Sequence, residues 1–377
     1  MKYLNTSLRK LIIFVMGCFF VFLVGYGVGK YGIIDKGKDI LLNNPEEAHG
    51  TTENFLSLTA FTDELIESEK LLDPIESFDE INKLNHDILI ELGKFENLYD
   101  KIAIVDSEII TLNNGQTTVV KLSFQYQNKT FYSYAYQVSN PHTTAKNSAL
   151  IIPGSGHNQS FKIYNRKESN YHHGILEFME DLTDFQTYIF IKPNEGILAF
   201  HNGNKKLNYN FITNFHLNQG GSYSASYLLQ SIAFQIYLKE LYQKNLIVGL
   251  SQGGLATLLN ALESDPDYAV IASGYSVINY DKVEWSGHDQ IIIPGISKEL
   301  RQENLSNRLQ ESNTSWFFSY GKQEKGTYRI EADELWTQSI IGELSNVKVI
   351  IHEGGHQFPF EELKTFIEKE TELICVE

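Results

Sequence analysis

The sequence predicts an α/β fold in which a mostly parallel sheet carries helices on both faces. Three observations support this. Six apolar runs of strand length recur from residue 149 onwards, at 149–152, 187–191, 246–250, Tyr268–Ala272, 315–320 and 347–351. Stretches with helical spacing fall among them, at 177–182, 224–242, 254–262, 331–344 and 360–371. The strand runs are apolar throughout rather than alternating, as strands buried on both faces of a parallel sheet must be.

The elements ahead of this region read differently. Residues 11–28 form an uncharged run of 18 residues preceded by Arg9 and Lys10. At ~1.5 Å per residue the run is near the lower limit for crossing a hydrocarbon core of roughly 30 Å. No A-x-A-like cleavage site follows it, and it exceeds a signal h-region of about 7–15 residues. The expectation is an uncleaved signal-anchor, with residues 1–30 forming a cytoplasmic tail and one transmembrane helix. Lys30, Lys36 and Lys38 after the span nearly balance Lys2, Arg9 and Lys10 before it. A short basic tail inside and a large extracytoplasmic domain is the commoner arrangement, and is the one expected here.

Residues 31–98 show helical spacing at Phe61, Leu65 and Leu72, and again at Ile81, Leu84, Ile88, Leu92 and Phe95. They read as a helical stalk or cap. At residue 99 the texture changes, and 99–377 reads as one catalytic-sized domain. Strands are expected at Ile102–Leu112 and across 117–138, with turns at Asn113-Asn114-Gly115 and Asn128-Lys129, so the domain opens antiparallel. No internal repeat is visible.

Composition narrows the function classes. The chain is 42% apolar and 21% charged, which excludes wholesale disorder. Its net charge is −16, and because residues 1–30 carry +4 the other 347 carry −20. A body this acidic is repelled by phosphate backbones, so nucleic acid is not an expected partner. Cys18 and Cys375, at opposite ends of the chain, offer neither a disulfide framework nor a thiolate metal cage. No cofactor and no metal are expected.

The chemistry concentrates at strand ends. Gly249-Leu250-Ser251-Gln252-Gly253 follows one strand and opens a helix. A serine on so sharp a turn is strained and exposes its hydroxyl, and Gly249 and Gly253 are needed where strand and helix backbones pass too close for a Cβ. The pattern alone is weak; the flanking strand and helix are what raise it. Upstream, the Gly-rich turn 151–157 ends another strand. Such a turn can aim a backbone N–H at a developing oxyanion, beside the N–H of Gln252.

Near the carboxyl end, His352-Glu353-Gly354-Gly355-His356 admits two readings. H-E-x-x-H binds zinc only on a helix, where i and i+4 imidazoles share a face. Two central glycines, each costing roughly 0.8–1 kcal/mol of helix propensity, oppose that. Read as a strand followed by a loop, the segment places His356 at the sheet's carboxyl edge, where a base for Ser251 must sit.

The order of Gly-rich turn, G-x-S-x-G elbow, late acid and final G-G-H resembles the serine hydrolases of the α/β-hydrolase superfamily, over residues 100–377. The P-G-S-G-H turn and G-L-S-Q-G-G elbow are similar to those of bacterial esterases and dienelactone-hydrolase-like members. The resemblance implies a mostly parallel eight-stranded sheet and a Ser–acid–His triad in that chain order. It implies Ser251 as nucleophile, His356 as base, and the N–H groups of Gln252 and Ser155 as the oxyanion hole. The family usually shows G-x-x-D after the seventh strand; here Gly321-Lys322-Gln323-Glu324 puts a glutamate there. Glu324 is therefore the candidate acid, with Asp333, Glu331 and Asp281 as alternatives.

The expected function is a membrane-anchored serine hydrolase that cleaves a carboxylic ester through an acyl-enzyme. The substrate is a small-molecule or glycan ester, with acyl groups on glycans as one candidate. Acyl transfer on the same triad, or a non-catalytic binding module on this fold, are the alternatives. Insertions at 194–223 and 279–312 are candidates for substrate contact, while His157, His172 and His173 read as polar loop residues.

Overall fold

The computed structural model describes residues 98–372 apart from 113–116, 127–128, 139–144, 157–158, 165–173, 176, 179–181, 183, 193–222, 276–299, 301 and 325–340. The expected anchor and nearly all of the expected stalk therefore lie outside the described residues, as do Asp281, Glu331, Asp333, His157, His172 and His173. So do most of both insertions and most of the helix expected at 331–344. Among the described residues no helix is long and apolar enough to cross a membrane.

A short 3-10 turn at Tyr99–Lys101 leads into nine strands: β1 (Ile102–Leu112), β2 (Thr117–Tyr126), β3 (Lys129–Gln137), β4 (Asn147–Ile152), β5 (Phe185–Phe190), β6 (Lys244–Leu250), β7 (Tyr268–Ala272), β8 (Ser315–Gly321) and β9 (Val347–His352). They form one sheet in the order β1-β2-β3-β5-β4-β6-β7-β8-β9. The first three make an antiparallel meander, β3 runs antiparallel to β5, and every pair from β5 to β9 is parallel. The resemblance implies eight strands, and the sheet has nine. The difference lies at the opening hairpin, whose outer strand β1 pairs only with β2 and lengthens the sheet at one edge.

Five helices accompany the sheet among the described residues: α1 (Gln159–Tyr164), α2 (Tyr223–Leu241), α3 (Gln252–Ser264), α4 (Gln302–Glu311) and α5 (Phe360–Glu372). Side-chain alternation along the strands shows what each helix covers. Trp316, Phe318 and Tyr320 of β8 join a large apolar cluster with Tyr227 to Leu238 of α2, Ala256 to Ala261 of α3, and Leu305 and Leu309 of α4. Phe317, on the other face of β8, packs at a tilt against Phe366 of α5 with ring centroids 5.1 Å apart. Both faces of the parallel strands are covered, which is why their sequences show no polar alternation.

Side chains at the amino ends of the strands hold the sheet in register. Asp267, just before β7, accepts from Lys244 Nζ at 2.9 Å and from the backbone N–H of Asn245 at 2.8 Å. Its carbonyl accepts the N–H of Ser315 at 2.8 Å, so one residue ties β6, β7 and β8 together. With the amino ends locked, the carboxyl ends of these strands emerge side by side. Removing the Phe317 ring should destabilise the fold by about 3–5 kcal/mol, the usual range for a buried phenylalanine cut to alanine. Urea unfolding of Phe317→Ala should show a lowered midpoint at an unchanged slope.

Candidate active site

Ser251 sits between the last residue of β6 and the first of α3, at φ 61° and ψ −123°. A residue with a Cβ adopts such angles only when its surroundings impose them, at a cost on the order of 1–3 kcal/mol. Its N–H donates to the Ala272 carbonyl of β7 at 2.9 Å, and its carbonyl accepts the N–H of Leu255 at 3.0 Å. Both backbone groups are thus committed. The side chain makes no capping hydrogen bond to the helix, although serine is a favoured N-cap residue. The hydroxyl is left for other work.

The glycines on either side meet the packing the motif predicts. A Cβ at Gly249 would run into the Gly253 carbonyl, and one at Gly253 would strike the carbonyls of Ile152 and Pro153. The second contact brings the start of α3 against the turn after β4. Gln252 is wholly buried, and as the first residue of α3 its N–H has no partner within the helix. In the turn, Gly156 holds φ 116°, a conformation that an L side chain rarely adopts.

Across the sheet edge, Glu324 follows β8 with its side chain fully buried. One carboxylate oxygen, Oε1, accepts the hydroxyl of Ser273 and the N–H of Gly321, the latter at 3.1 Å. The other, Oε2, lies 3.5 Å from Nδ1 of His356 and accepts no hydrogen bond among the described residues. That spacing is at the outer limit of hydrogen-bond reach, as is common in unliganded sites that tighten around substrate. The His356 loop is pinned to the acid's own turn: Lys322 N–H donates to the His352 carbonyl and Gln323 N–H to the Gly354 carbonyl, each at 2.9 Å. A Cβ at Gly321 would meet the Gly354 and Gly355 carbonyls, so the two loops pass in close contact.

The structure therefore brings Glu324 and His356 together and places Ser251, Gln252 and Ser155 on the same carboxyl edge. The fold is an α/β fold built on a mostly parallel nine-stranded sheet. No protein-family model and no curated protein sequence matches the chain. Among solved structures the chain is similar to Est1E from Butyrivibrio proteoclasticus, at 15% identity over 71% of this chain and 98% of that one, with a TM-score of 0.40. It is also similar to acetyl xylan esterase 1 from Thermoanaerobacterium sp., at 14% identity over 77% and 92%, with a TM-score of 0.42. A third is a family 15 carbohydrate esterase, a glucuronoyl esterase from Caldicellulosiruptor kristjansonii, at 8% identity over 76% and 84% and a TM-score of 0.45.

Two residues of this candidate site have no motif to announce them. Ser273, directly after β7, is fully buried at φ 45° and holds Oε1 of Glu324. Lys192, two residues past the end of β5, is also fully buried. Its only sequence signal is a single cation closing an apolar strand ahead of Pro193.

The zinc reading of H-E-x-x-H does not survive the backbone. His352 ends β9, and residues 353–357 form a bent loop rather than a helix, so His352 and His356 share no helical face. His352 Nδ1 accepts the N–H of Gly354 at 3.2 Å, which places the proton of the neutral ring on Nε2 and leaves no free lone pair for a metal. Glu177, Glu353, Glu361 and Glu362 line a cavity beside it, yet among the described residues no three His, Cys, Asp or Glu side chains converge to hold an ion.

Burial pushes the His352 imidazole below its ordinary pKa, against the pull of Glu362 and Glu324. The folded protein thus keeps this ring neutral where the unfolded chain protonates it. Its contribution to stability is complete above the unfolded value of about 6.5 and is lost as pH falls toward the lower folded value. Thermal melts from pH 7.5 to 5 should show wild type losing stability more steeply than His352→Gln.

Proposed function

We propose that this protein is a serine hydrolase that cleaves a carboxylic ester through an acyl-enzyme. The observation that carries the reading is the buried Glu324 carboxylate facing Nδ1 of His356, on the edge that also bears a strained serine with an uncommitted hydroxyl. His356 takes the Ser251 proton at Nε2 as Oγ bonds to the ester carbonyl carbon, and the carbonyl oxygen becomes an oxyanion. The backbone N–H groups of Gln252 and Ser155 receive that charge. The adduct collapses, the bond to the alcohol breaks, and the imidazolium returns its proton to the leaving oxygen. Water then adds to the acyl carbon and gives a proton to His356. The second adduct expels Ser251, which regains that proton, and the carboxylic acid leaves.

Glu324 holds the imidazole with its proton on Nδ1 and stabilises the imidazolium. The Ser273 hydroxyl and Gly321 N–H occupy Oε1, which leaves Oε2 for the histidine. Acyl groups on glycans are a candidate substrate class, and the uncharged run 11–28 supports a single-pass anchor, with an extracytoplasmic catalytic domain as the commoner arrangement.

A fluorophosphonate probe should label wild type and leave folded Ser251→Ala unlabelled. With a simple aryl ester, Ser251→Ala and His356→Ala should each remove nearly all turnover, as parts of one unit rather than additive contributions. Glu324→Gln should lower kcat by up to roughly 10⁴-fold, by analogy with acid-to-amide changes in such triads. A folded wild type that takes no label overturns the reading. For the anchor, full-length protein should stay in the membrane fraction through a high-salt wash, and protease added to intact cells or spheroplasts should reach the catalytic domain.

A further inference from the structure

Lys192 is fully buried, and its ammonium lies 2.5 Å from the Gly154 carbonyl oxygen and 3.2 Å from that of Gly156. An ammonium carried out of water needs hydrogen bonds to replace its hydration, and it has three N–H donors to place. Two of the acceptors belong to one turn, residues 153–156, between the end of β4 and α1. The placement follows from the sheet. β4 and β5 are parallel neighbours with Ile151 opposite Ile189, so the residues just past β5 lie beside the turn just past β4.

The identity of the first acceptor matters. The Gly154 carbonyl and the Ser155 N–H belong to the same peptide group. In a planar trans amide these two groups point in opposite directions. Fixing the carbonyl toward Lys192 therefore fixes the direction of the Ser155 N–H, away from the ammonium. A glycine at 154 and another at 156 leave this peptide little stiffness of its own, so an external clamp has something to do. A cation bound to the carbonyl also draws electron density along the amide, and hydrogen bonds in such a chain strengthen one another.

We propose that Lys192 is a positioning residue for the oxyanion hole: its buried ammonium orients and polarises the Gly154–Ser155 peptide so that the Ser155 N–H meets the developing oxyanion. The inference rests on the serine-hydrolase reading given above. Lys192 touches no substrate in this scheme and acts only through the peptide. Its contribution is therefore larger in the tetrahedral adduct than in the bound ester, because only the adduct carries full charge on the oxygen.

The test uses Lys192→Met and Lys192→Gln in the full chain, with Ser251→Ala as the control, and measures kcat, KM, melting temperature and affinity for a boronic acid that forms a tetrahedral adduct with serine. Because the Ser155 N–H is misdirected rather than deleted, the loss should fall below the roughly 10²–10³-fold typical of removing an oxyanion donor, at about 10–100-fold in kcat. KM should stay within about twofold, and boronate affinity should fall in step with kcat. A role confined to packing would lower the melting temperature without separating the adduct from the ground state. In a folded neutral variant, unchanged kcat, a rise in KM alone, or a loss of kcat with boronate affinity intact each overturns the proposal. Failure of both neutral variants to fold assigns Lys192 to the fold and overturns it equally. A wild type whose turnover matches that of Ser251→Ala sinks the underlying hydrolase reading instead, and is recognised by that control.

Discussion

The Ser251 N–H donates to the carbonyl of Ala272, and that hydrogen bond holds the turn on which the rest of the site depends. It ties the residue just beyond β6 to the last residue of β7, and so fixes where α3 must begin. α3 then has to leave the sheet through a space bounded by the Ile152 and Pro153 carbonyls on one side and Gly274 on the other. Only residues without side chains pass there, which accounts for glycine at 249, 253, 254 and 274. The strained φ and ψ of Ser251 follow from the same crowding. Backbone pressing on backbone holds the hydroxyl at the edge, with no side-chain interaction required to keep it there. Such a serine is insensitive to fluctuations of neighbouring side chains, which suits the role proposed for it.

The acid side is built on a different principle. Glu324 is longer than the aspartate usual at its position, and a free glutamate would have several rotamers to choose from. Here two donors consume Oε1, one from the backbone of its own turn at Gly321 and one from Ser273 beyond the neighbouring strand. A chain of contacts then links the two halves of the site: Ser251 to Ala272, Ala272 to Ser273 along the chain, Ser273 to Glu324, and Glu324 to His356. The N–H of Ser273 in turn donates to the Ser319 carbonyl of β8 at 2.8 Å. β7 therefore carries the link between Ser251 and Glu324.

How much of this was legible in the sequence depended on what each feature needs in order to show itself. Strands buried on both faces announce themselves by continuous apolar runs, so β7 matches its expected bounds and β4, β5, β6, β8 and β9 fall within a few residues, whereas the largely exposed edge strand β1 matches because a turn signal bounds it. The long helix expected at 224–242 appears at Tyr223–Leu241 for the same reason. α1, six residues long, is too short to display a period, and no helix was expected there. Among its described side chains α4 buries Leu305 and Leu309 along an otherwise polar stretch, too few positions to stand out. In the site, the residues that come with a motif and a strand end were readable: Ser251, Gln252, His356 and, by position after β8, Glu324. Ser273 and Lys192 were not. Each is one polar residue after an apolar strand, and such residues usually only face solvent. Their importance appears only when the fold brings β4 next to β5 and β7 next to β8.

Those two overlooked residues belong to opposite halves of one electrostatic arrangement. Forming the tetrahedral adduct from neutral serine, neutral histidine and a neutral ester separates one negative and one positive charge. The negative charge develops beside the turn after β4, and the positive charge on the His356 ring. The fold buries one basic side chain, Lys192, against that turn and one acidic side chain, Glu324, against that ring. Each is held by hydrogen bonds to groups that the sheet has already fixed, so neither has to move as the charges appear. Fixed charges of matching sense do little for an uncharged ground state and much for a charge-separated one, and they act most strongly where water is excluded. On the proposed mechanism, the cost of burying a lysine and a glutamate is offset in the transition state, where the lysine acts through the Gly154–Ser155 peptide and the glutamate faces the imidazolium.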